Sequence, residues 1–288
     1  MSNISTEFTR ASRSPSRRLR ILGVPLGVAL AMLILAFLIL CALWPRLVAP
    51  YDPLALNLLH SLRGPSLEHL FGTDQLGRDI FSRTVHGARY SLYIGIGATL
   101  IAVTIGIVIG LLAGTLGGLV DLAFMRVVDI LMAFPNLLMS MAVVAFLGTG
   151  TTNVLLAIAI SAVPGYARIV RSQVLVVRGS GYVEAARVLG QSPALTMIRH
   201  ILPNTIGPLI VLSTLGIGSA ILSSAALSYL GLGPRPPTPE WGLMLAEGQG
   251  YLRKAWWIGV FPGVFATATI VSTTVFGRYL KAVSDGRA

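Results

Sequence analysis

The residue types that most often carry chemistry are few in this chain and widely spaced. The two lysines, Lys254 and Lys281, do not follow glycine, so the glycine-lysine pair of a phosphate-binding loop is missing from the sequence. The sequence also lacks a dinucleotide-binding glycine fingerprint, a His-Glu-x-x-His zinc motif and a Gly-x-Ser-x-Gly nucleophile turn. The histidines lie far apart, which predicts no metal site: His60, His69, His86 and His200. We therefore expect neither catalysis nor a cofactor in this chain.

Asp129 is the acidic residue with the best placement for coupling transport to an ion gradient. A secondary transporter commonly uses acids deep within its membrane spans. Asp129 lies one helical turn from Arg126 and near the predicted end of an apolar run, so a helix-end charge is the favoured interpretation. A secondary transporter remains one alternative function for the chain. An ion channel is a weaker one, because the sequence shows no ring of charges and no filter-like loop.

Residues 168–203 form the longest polar connection between apolar runs and have the pattern of two short helices. Tyr182 to Leu189 predicts a helix built from good helix formers, and Gly190 can end it in a left-handed conformation. Ser192 and Pro193 are typical of the first residues of a second helix. That helix is expected to run to about residue 201, where Pro203 interrupts it. The alternative is an ordinary amphipathic loop.

The composition indicates which solvent surrounds these segments. The 288 residues are 54% hydrophobic and only 11% charged, whereas about a quarter of the residues in a soluble domain are charged. The net charge of +11 comes from short arginine clusters between long uncharged runs, a distribution typical of membrane topology rather than of nucleic-acid binding. The single cysteine, Cys41, excludes an internal disulfide. The chain is therefore predicted to lie in lipid and to bind no nucleic acid.

The apolar runs predict an all-α membrane protein with six transmembrane helices, since about 20 helical residues cross a bilayer core. We place these helices near 21–43, 90–113, 124–147, 152–171, 205–229 and 257–279. The first run is too long for the apolar core of a cleaved signal peptide, so it is expected to remain as a helix.

The loops between these helices divide into two groups. The N-terminal tail 1–20, the 114–126 connection, the 168–203 segment and the C-terminal tail 281–288 hold most of the 22 Lys and Arg residues. The positive-inside rule therefore places both termini in the cytoplasm. On the other side lie 230–256 and the 44–89 loop, in which 76–86 is expected to form a helix in the outer membrane interface. The remaining segment, 90–280, is predicted to be a five-helix core that contains the 168–203 loop.

The 168–203 segment also carries a resemblance to a known family. It contains Glu-Ala-Ala, three further residues, a glycine and a Leu-Pro ending, with His200 where the family has isoleucine. This pattern resembles the signature of permeases from binding-protein-dependent ABC importers, whose loop docks into a groove of the ATPase subunit. The resemblance implies ATPase-coupling roles for Glu184, Ala185, Ala186, Arg187, Leu189, Gly190, Leu202 and Pro203. ATP and Mg²⁺ would then be bound by the partner ATPases rather than by this chain.

A second resemblance concerns the segment before the second span. Phe71-Gly-Thr-Asp-Gln-Leu-Gly-Arg-Asp-Ile-Phe-Ser-Arg83 is similar to the corresponding segment in C-type permeases of dipeptide and oligopeptide importers, including the nickel and glutathione variants. The resemblance implies a type I importer fold in the inner membrane. It also implies five partners besides membrane lipid: a second homologous permease, two cytoplasmic ATPases, an extracytoplasmic binding protein and a di- or oligopeptide substrate, with a nickel chelate or glutathione as the alternative substrate.

The segment 234–242 is rich in proline, so its backbone is stiff. Aromatic residues often carry much of the energy of an interface. Glu240 and Trp241 are therefore candidates for docking the binding protein. A rigid cover at the mouth of a cavity is the alternative role for this segment.

Overall fold

The computed structural model describes residues 20–21 and 24–284, so the predicted tails 1–20 and 281–288 lie largely or partly outside the described residues. Two two-residue strands, Arg20–Ile21 and Val24–Pro25, pair antiparallel. The other regular elements among the described residues are helices, as predicted. The helices are α1 Leu26–Leu43, α2 Pro45–Val48, a 3₁₀ turn Leu58–His60, α3 Ile80–Leu116, α4 Gly118–Met132, α5 Asn136–Leu147, α6 Thr151–Arg178, α7 Gly181–Val188, α8 Pro193–Thr196, a π turn Met197–Ile201, α9 Leu202–Tyr229, α10 Trp241–Gln249 and α11 Trp257–Ser284.

Glycines on α3 show how α3 and α6 pack. A Cβ atom at Gly106 would lie 2.6 Å from Tyr166, and one at Gly114 would lie 2.6 Å from Val174. Residues later in α3 contact residues later in α6, so the two helices run parallel. The spacing of the glycines places them on one face, where the missing side chains allow two backbones to approach closely in lipid. Gly106, Gly110 and Gly114 therefore form a packing face inside the chain.

The parallel packing of α3 and α6 fixes the number of membrane crossings. Two consecutive long helices can run parallel only if the chain between them returns across the bundle, so α4 and α5 together form one crossing. The described residues contain five helices that are long and apolar enough to span a membrane, and this bent pair adds a sixth span. The prediction of six spans agrees with this arrangement. The α6–α9 connection then lies at one end of the bundle, and the 44–79 and 230–256 loops lie at the other.

The third span was predicted as one helix over 124–147, and this prediction is wrong. One helix ends at Met132, the next begins at Asn136, and the angle between the two is 92°. Pro135 explains the break, because proline has no N–H to donate and disfavours a helical conformation at Phe134 before it. The crossing therefore consists of two half-helices.

The prediction of a separate interfacial helix at 76–86 is also wrong. Asp79 caps a helix that begins at Ile80 and continues without a break to Leu116, and its carboxylate accepts a hydrogen bond from the Ser82 N–H at 2.8 Å. Leu76 lies in a turn before this helix. The side chain of Arg83, which belongs to the predicted interfacial segment, is buried in the structure.

Candidate functional site

The two helices predicted in the 168–203 segment are present, and Gly190 makes the turn between them. The first helix, α7, ends in a Schellman motif: Gly190 N–H donates to the Arg187 carbonyl at 3.0 Å, and Gln191 N–H donates to the Ala186 carbonyl at 3.0 Å. Gly190 has φ of +80°, which is the left-handed conformation that glycine adopts at little cost. The Gln191 side chain also contacts His200 Nε2 at 2.9 Å and so joins the turn to the second arm. We call residues 181–203 the elbow.

The second arm of the elbow begins as predicted but does not end as predicted. The Ser192 hydroxyl accepts a hydrogen bond from Leu195 N–H at 3.4 Å, and Pro193 occupies the first turn of α8. The expected interruption at Pro203 is absent, because a π turn at Met197–Ile201 leads directly into α9. Within this wider turn, Leu202 N–H donates to the Met197 carbonyl. The arm is therefore continuous with a membrane-spanning helix and can transmit its position to it.

The elbow has one face packed on the bundle and one face open. Val183 lies in an apolar cluster with Val170, Ile201 and Leu209 from α6, the π turn and α9. The open face carries large apolar side chains, of which Val188 is 83% exposed and Leu189 is 85% exposed. An exposed apolar patch of this kind is typical of a protein interface.

The residues predicted to couple to an ATPase divide between these two faces. Ala186 is buried, and Leu202 is half-buried in the second arm. The remaining members are exposed: Glu184, Ala185, Arg187, Leu189, Gly190 and Pro203. Sequence reasoning did not name Val188. The sequence did offer a signal for Val188, because an apolar residue stands directly before the Leu189-Gly190 pair that ends the helix.

Two ion pairs join α4 to α6. Arg171 binds both carboxylate oxygens of Asp121, through Nε at 2.5 Å and Nη2 at 2.6 Å, and Arg168 pairs with Asp129. The Asp129 pair is exposed on the bundle surface. Charges exposed to lipid are costly, so this face of α4 and α6 suits water or a protein partner. Pairing with arginine also weighs against Asp129 as a coupling-ion site.

Glu240 and Trp241 were predicted to dock a binding protein, and the structure contradicts this role. Glu240 is 1% exposed and Trp241 is fully buried. The Glu240 carboxylate accepts a hydrogen bond from Leu243 N–H at 2.8 Å and so caps α10, while it also contacts the Ser228 hydroxyl at 3.0 Å. Trp241 Nε1 donates to the Thr84 carbonyl at 2.8 Å. These side chains lock α10 onto α3 and α9, so they have no surface to offer a partner.

A buried cluster of charged side chains lies at the end of the bundle opposite the elbow, between the 72–79 segment and α10. Arg78 Nε binds Asp74 Oδ2 at 2.5 Å, and Arg83 Nη2 binds Glu247 Oε2 at 3.1 Å. Arg83 Nη1 also lies 3.6 Å from Asp74 Oδ2, which links the two pairs. Sequence reasoning missed this cluster. The signal for it was the concentration of charges beside a span in a chain with so few of them.

Comparison with known proteins supplies the family. Residues 106–287 match the family model described as "Binding-protein-dependent transport system inner membrane component". The chain is 44% identical over 256 residues to the glutathione transport system permease proteins GsiD of Escherichia coli O6:K15:H31 (strain 536 / UPEC) and Shigella sonnei (strain Ss046), and the match covers 88% of this chain and 84% of each relative.

Solved structures of importers share the fold. A chain of the MetNI methionine ABC transporter, in an inward-facing conformation, superposes with a TM-score of 0.55 at 21% identity, over 70% of this chain and 96% of that one. A chain of an amino acid ABC transporter crystallised with histidines gives 0.54 at 19% identity, over 71% and 94%. With the elbow, the broken third span and six crossings in place, this chain belongs to the family of binding-protein-dependent transport system inner membrane components and is the permease subunit of an ABC importer.

Proposed function

We propose that this permease carries short peptides, glutathione among them, as the C-type half of a heterodimer with a second permease. The support for the substrate is the 44% identity to glutathione permeases, which extends over nearly the whole chain. Two cytoplasmic ATPases and an extracytoplasmic binding protein complete the assembly. ATP and Mg²⁺ bind only to the ATPases, because the sequence offers no phosphate-binding loop.

The observation that carries the coupling role is the open face of the elbow. Val188 and Leu189 project from the end of α7, and Ile198 is exposed on the second arm. Glu184 and Arg187 flank this apolar patch and are also exposed. A patch with an apolar centre and a charged rim has the composition of a protein-binding surface. We infer that it enters the groove of an ATPase, while Val183 and Ala186 hold the elbow on the bundle.

This proposal places the elbow end of the bundle in the cytoplasm. Its test is labelling of single cysteines with a membrane-impermeant thiol reagent in intact cells, in a Cys41→Ser background. Leu67 is 99% exposed in the opposite loops, so Leu67→Cys should react, whereas Leu189→Cys should react only after the membrane is opened and the ATPases are removed from it. The reverse pattern would invert the orientation.

Transport itself is tested with the purified complex in proteoliposomes. We expect ATP-dependent uptake of labelled glutathione or of a labelled dipeptide, and we expect Leu189→Asp to abolish it without loss of the second permease from the complex. Thr238→Asp, at a half-buried position on the opposite end, serves as the matched control and should retain uptake. A complex that carries neither compound would refute the peptide assignment, and normal uptake by Leu189→Asp would refute the coupling role.

A further inference from the structure

Three side chains with metal-binding atoms converge at the end of the bundle opposite the elbow. His60 Nδ1 lies 3.2 Å from His69 Nε2 and 3.9 Å from Glu68 Oε1. The ligand atoms of all three residues lie within 4.8 Å of one another. The spacing of the histidines along the sequence predicted no metal site, but the fold brings two of the four together.

One of these ligands is held in the orientation that a metal requires. His69 Nδ1 lies 2.9 Å from Asp79 Oδ1. An ionised carboxylate only accepts hydrogen bonds, so Nδ1 carries the proton and Nε2 presents its lone pair toward His60. Asp79 is itself fixed, because its other oxygen caps α3 through Ser82 N–H. A carboxylate that orients a histidine in this way is the usual outer partner of a metal-bound imidazole.

The backbone around the ligands is also fixed. His60 ends a 3₁₀ turn, and its carbonyl accepts a hydrogen bond from the Thr73 hydroxyl. On the other side, Tyr51 donates a hydrogen bond from its hydroxyl to the Glu68 carbonyl at 3.0 Å. The His69 N–H donates to the Ser66 hydroxyl at 3.1 Å. The two short segments that supply the ligands are therefore held against each other before any ion binds.

The distances match a tetrahedral site. Zn²⁺ binds imidazole nitrogen at about 2.0–2.1 Å, so two ligands of a tetrahedron lie about 3.3 Å apart. The two histidine nitrogens are 3.2 Å apart. The Glu68 side chain is 58% exposed and can rotate to close the remaining gap. Two imidazoles and one carboxylate suit Zn²⁺ and related transition metals, whereas Mg²⁺ and Ca²⁺ prefer oxygen ligands.

We propose that His60, His69 and Glu68 bind one Zn²⁺ ion, with the fourth coordination position open to solvent. The ion joins the 3₁₀ turn to the 66–69 segment and so clamps the loop that precedes α3. The local negative charge favours a bound cation, because Glu68 carries a carboxylate and the Asp79 carboxylate contacts the far side of the His69 ring. This site is independent of the peptide substrate and of the elbow. The alternative is a pair of hydrogen-bonded histidines that only stabilises the loop.

The test uses the whole chain in its complex, in lipid nanodiscs and without a polyhistidine tag. Zn²⁺ binding is measured by titration calorimetry and by metal analysis after dialysis, and Co²⁺ is used as a spectroscopic probe of tetrahedral nitrogen and oxygen ligation. We expect one Zn²⁺ per chain. His60→Ala should weaken the affinity by at least about tenfold, and Glu68→Gln should weaken it measurably. Both positions are exposed enough for the chain to fold, whereas His69 is buried against Asp79.

The matched control is His86→Ala, since His86 lies at the same end of the bundle but bonds its own helix through the Ser82 carbonyl at 2.9 Å. It should bind Zn²⁺ as the parent chain does. Absence of Zn²⁺ binding by the parent, equal binding by His60→Ala, or equal loss from His86→Ala would each overturn the proposal. If Mg²⁺ or Ca²⁺ displaces the bound Zn²⁺ at equal concentration, the site does not consist of two imidazoles and one carboxylate.

Discussion

Gly190 offers a sharp test of the elbow, because the structure separates backbone strain from steric clash at this position. Its φ is +80°, and a Cβ atom built there would meet nothing within 4 Å. A substitution therefore changes only the conformational preference of the backbone. The left-handed conformation costs roughly 1–2 kcal/mol for a residue with a side chain, and a β-branched residue such as valine is the least suited to it. Asparagine adopts this conformation far more readily and provides the matched control.

The magnitude follows from that cost. A penalty of roughly 1–2 kcal/mol lowers the ratio of the docking-competent elbow to its other conformers by about 5- to 30-fold, and this factor sets the upper limit on the loss of ATPase affinity. We expect Gly190→Val to bind the ATPases more weakly within this limit and to transport correspondingly less, while Gly190→Asn stays close to the parent.

The assay for Gly190 compares three quantities for each variant in nanodiscs: recovery of the second permease, affinity for the ATPases and transport-coupled ATP hydrolysis. Normal recovery of the second permease shows that the chain has folded. If Gly190→Asn fails as badly as Gly190→Val, the backbone argument is wrong. If Gly190→Val docks and transports as the parent does, the elbow is not the coupling element.

The remaining predictions concern the packing that supports this machinery, and each is measured as thermal unfolding of the purified chain. Gly110→Ala should destabilise the chain by about 1–3 kcal/mol, because the new Cβ would lie 2.6 Å from the Ala167 carbonyl oxygen. In the control Gly165→Ala the new Cβ meets open space, so the chain should not be destabilised. Equal stability of the two variants would refute the close α3–α6 contact. Trp241→Ala should cost about 3–5 kcal/mol, and the exposed Trp256→Ala should cost far less; the opposite order would refute the buried role of Trp241. Arg83→Met leaves Glu247 without its closest partner and should cost about 3–5 kcal/mol; an unchanged midpoint would show that the buried cluster contributes nothing.

The features that the sequence predicted well are those set by local chemistry. The apolar runs are long compared with the bilayer core, so the number of spans could be predicted, although the bounds and the continuity of single helices could not. The elbow has an end signal for its first arm and a start signal for its second arm, and Gly190, Ser192 and Pro193 adopt the roles that their residue types favour. Gly106, Gly110 and Gly114 are four residues apart and must share one side of a helix, and in α3 that side packs on α6.

The features that the sequence did not predict depend on contacts between distant segments. Trp241 was predicted to be an interface anchor because it is aromatic, but its indole N–H reaches a carbonyl 157 residues away. Arg83 was expected on an interfacial helix, but it is buried against Glu247, which is 164 residues away. The break at Pro135 was readable as a kink, but its 92° angle depends on what packs against each half.

The position of the elbow between two spans explains how it can move the whole bundle. Val183 on α7 and Ile201 in the π turn pack into one cluster with Val170 on α6 and Leu209 on α9. A force on the open face therefore reaches both spans through a single apolar contact. α6 is locked to α3 by the glycine face, where a Cβ atom at Gly110 would lie 2.6 Å from α6. Cores packed this closely transmit displacement rather than absorb it, so α3, α6 and α9 should move together with the elbow.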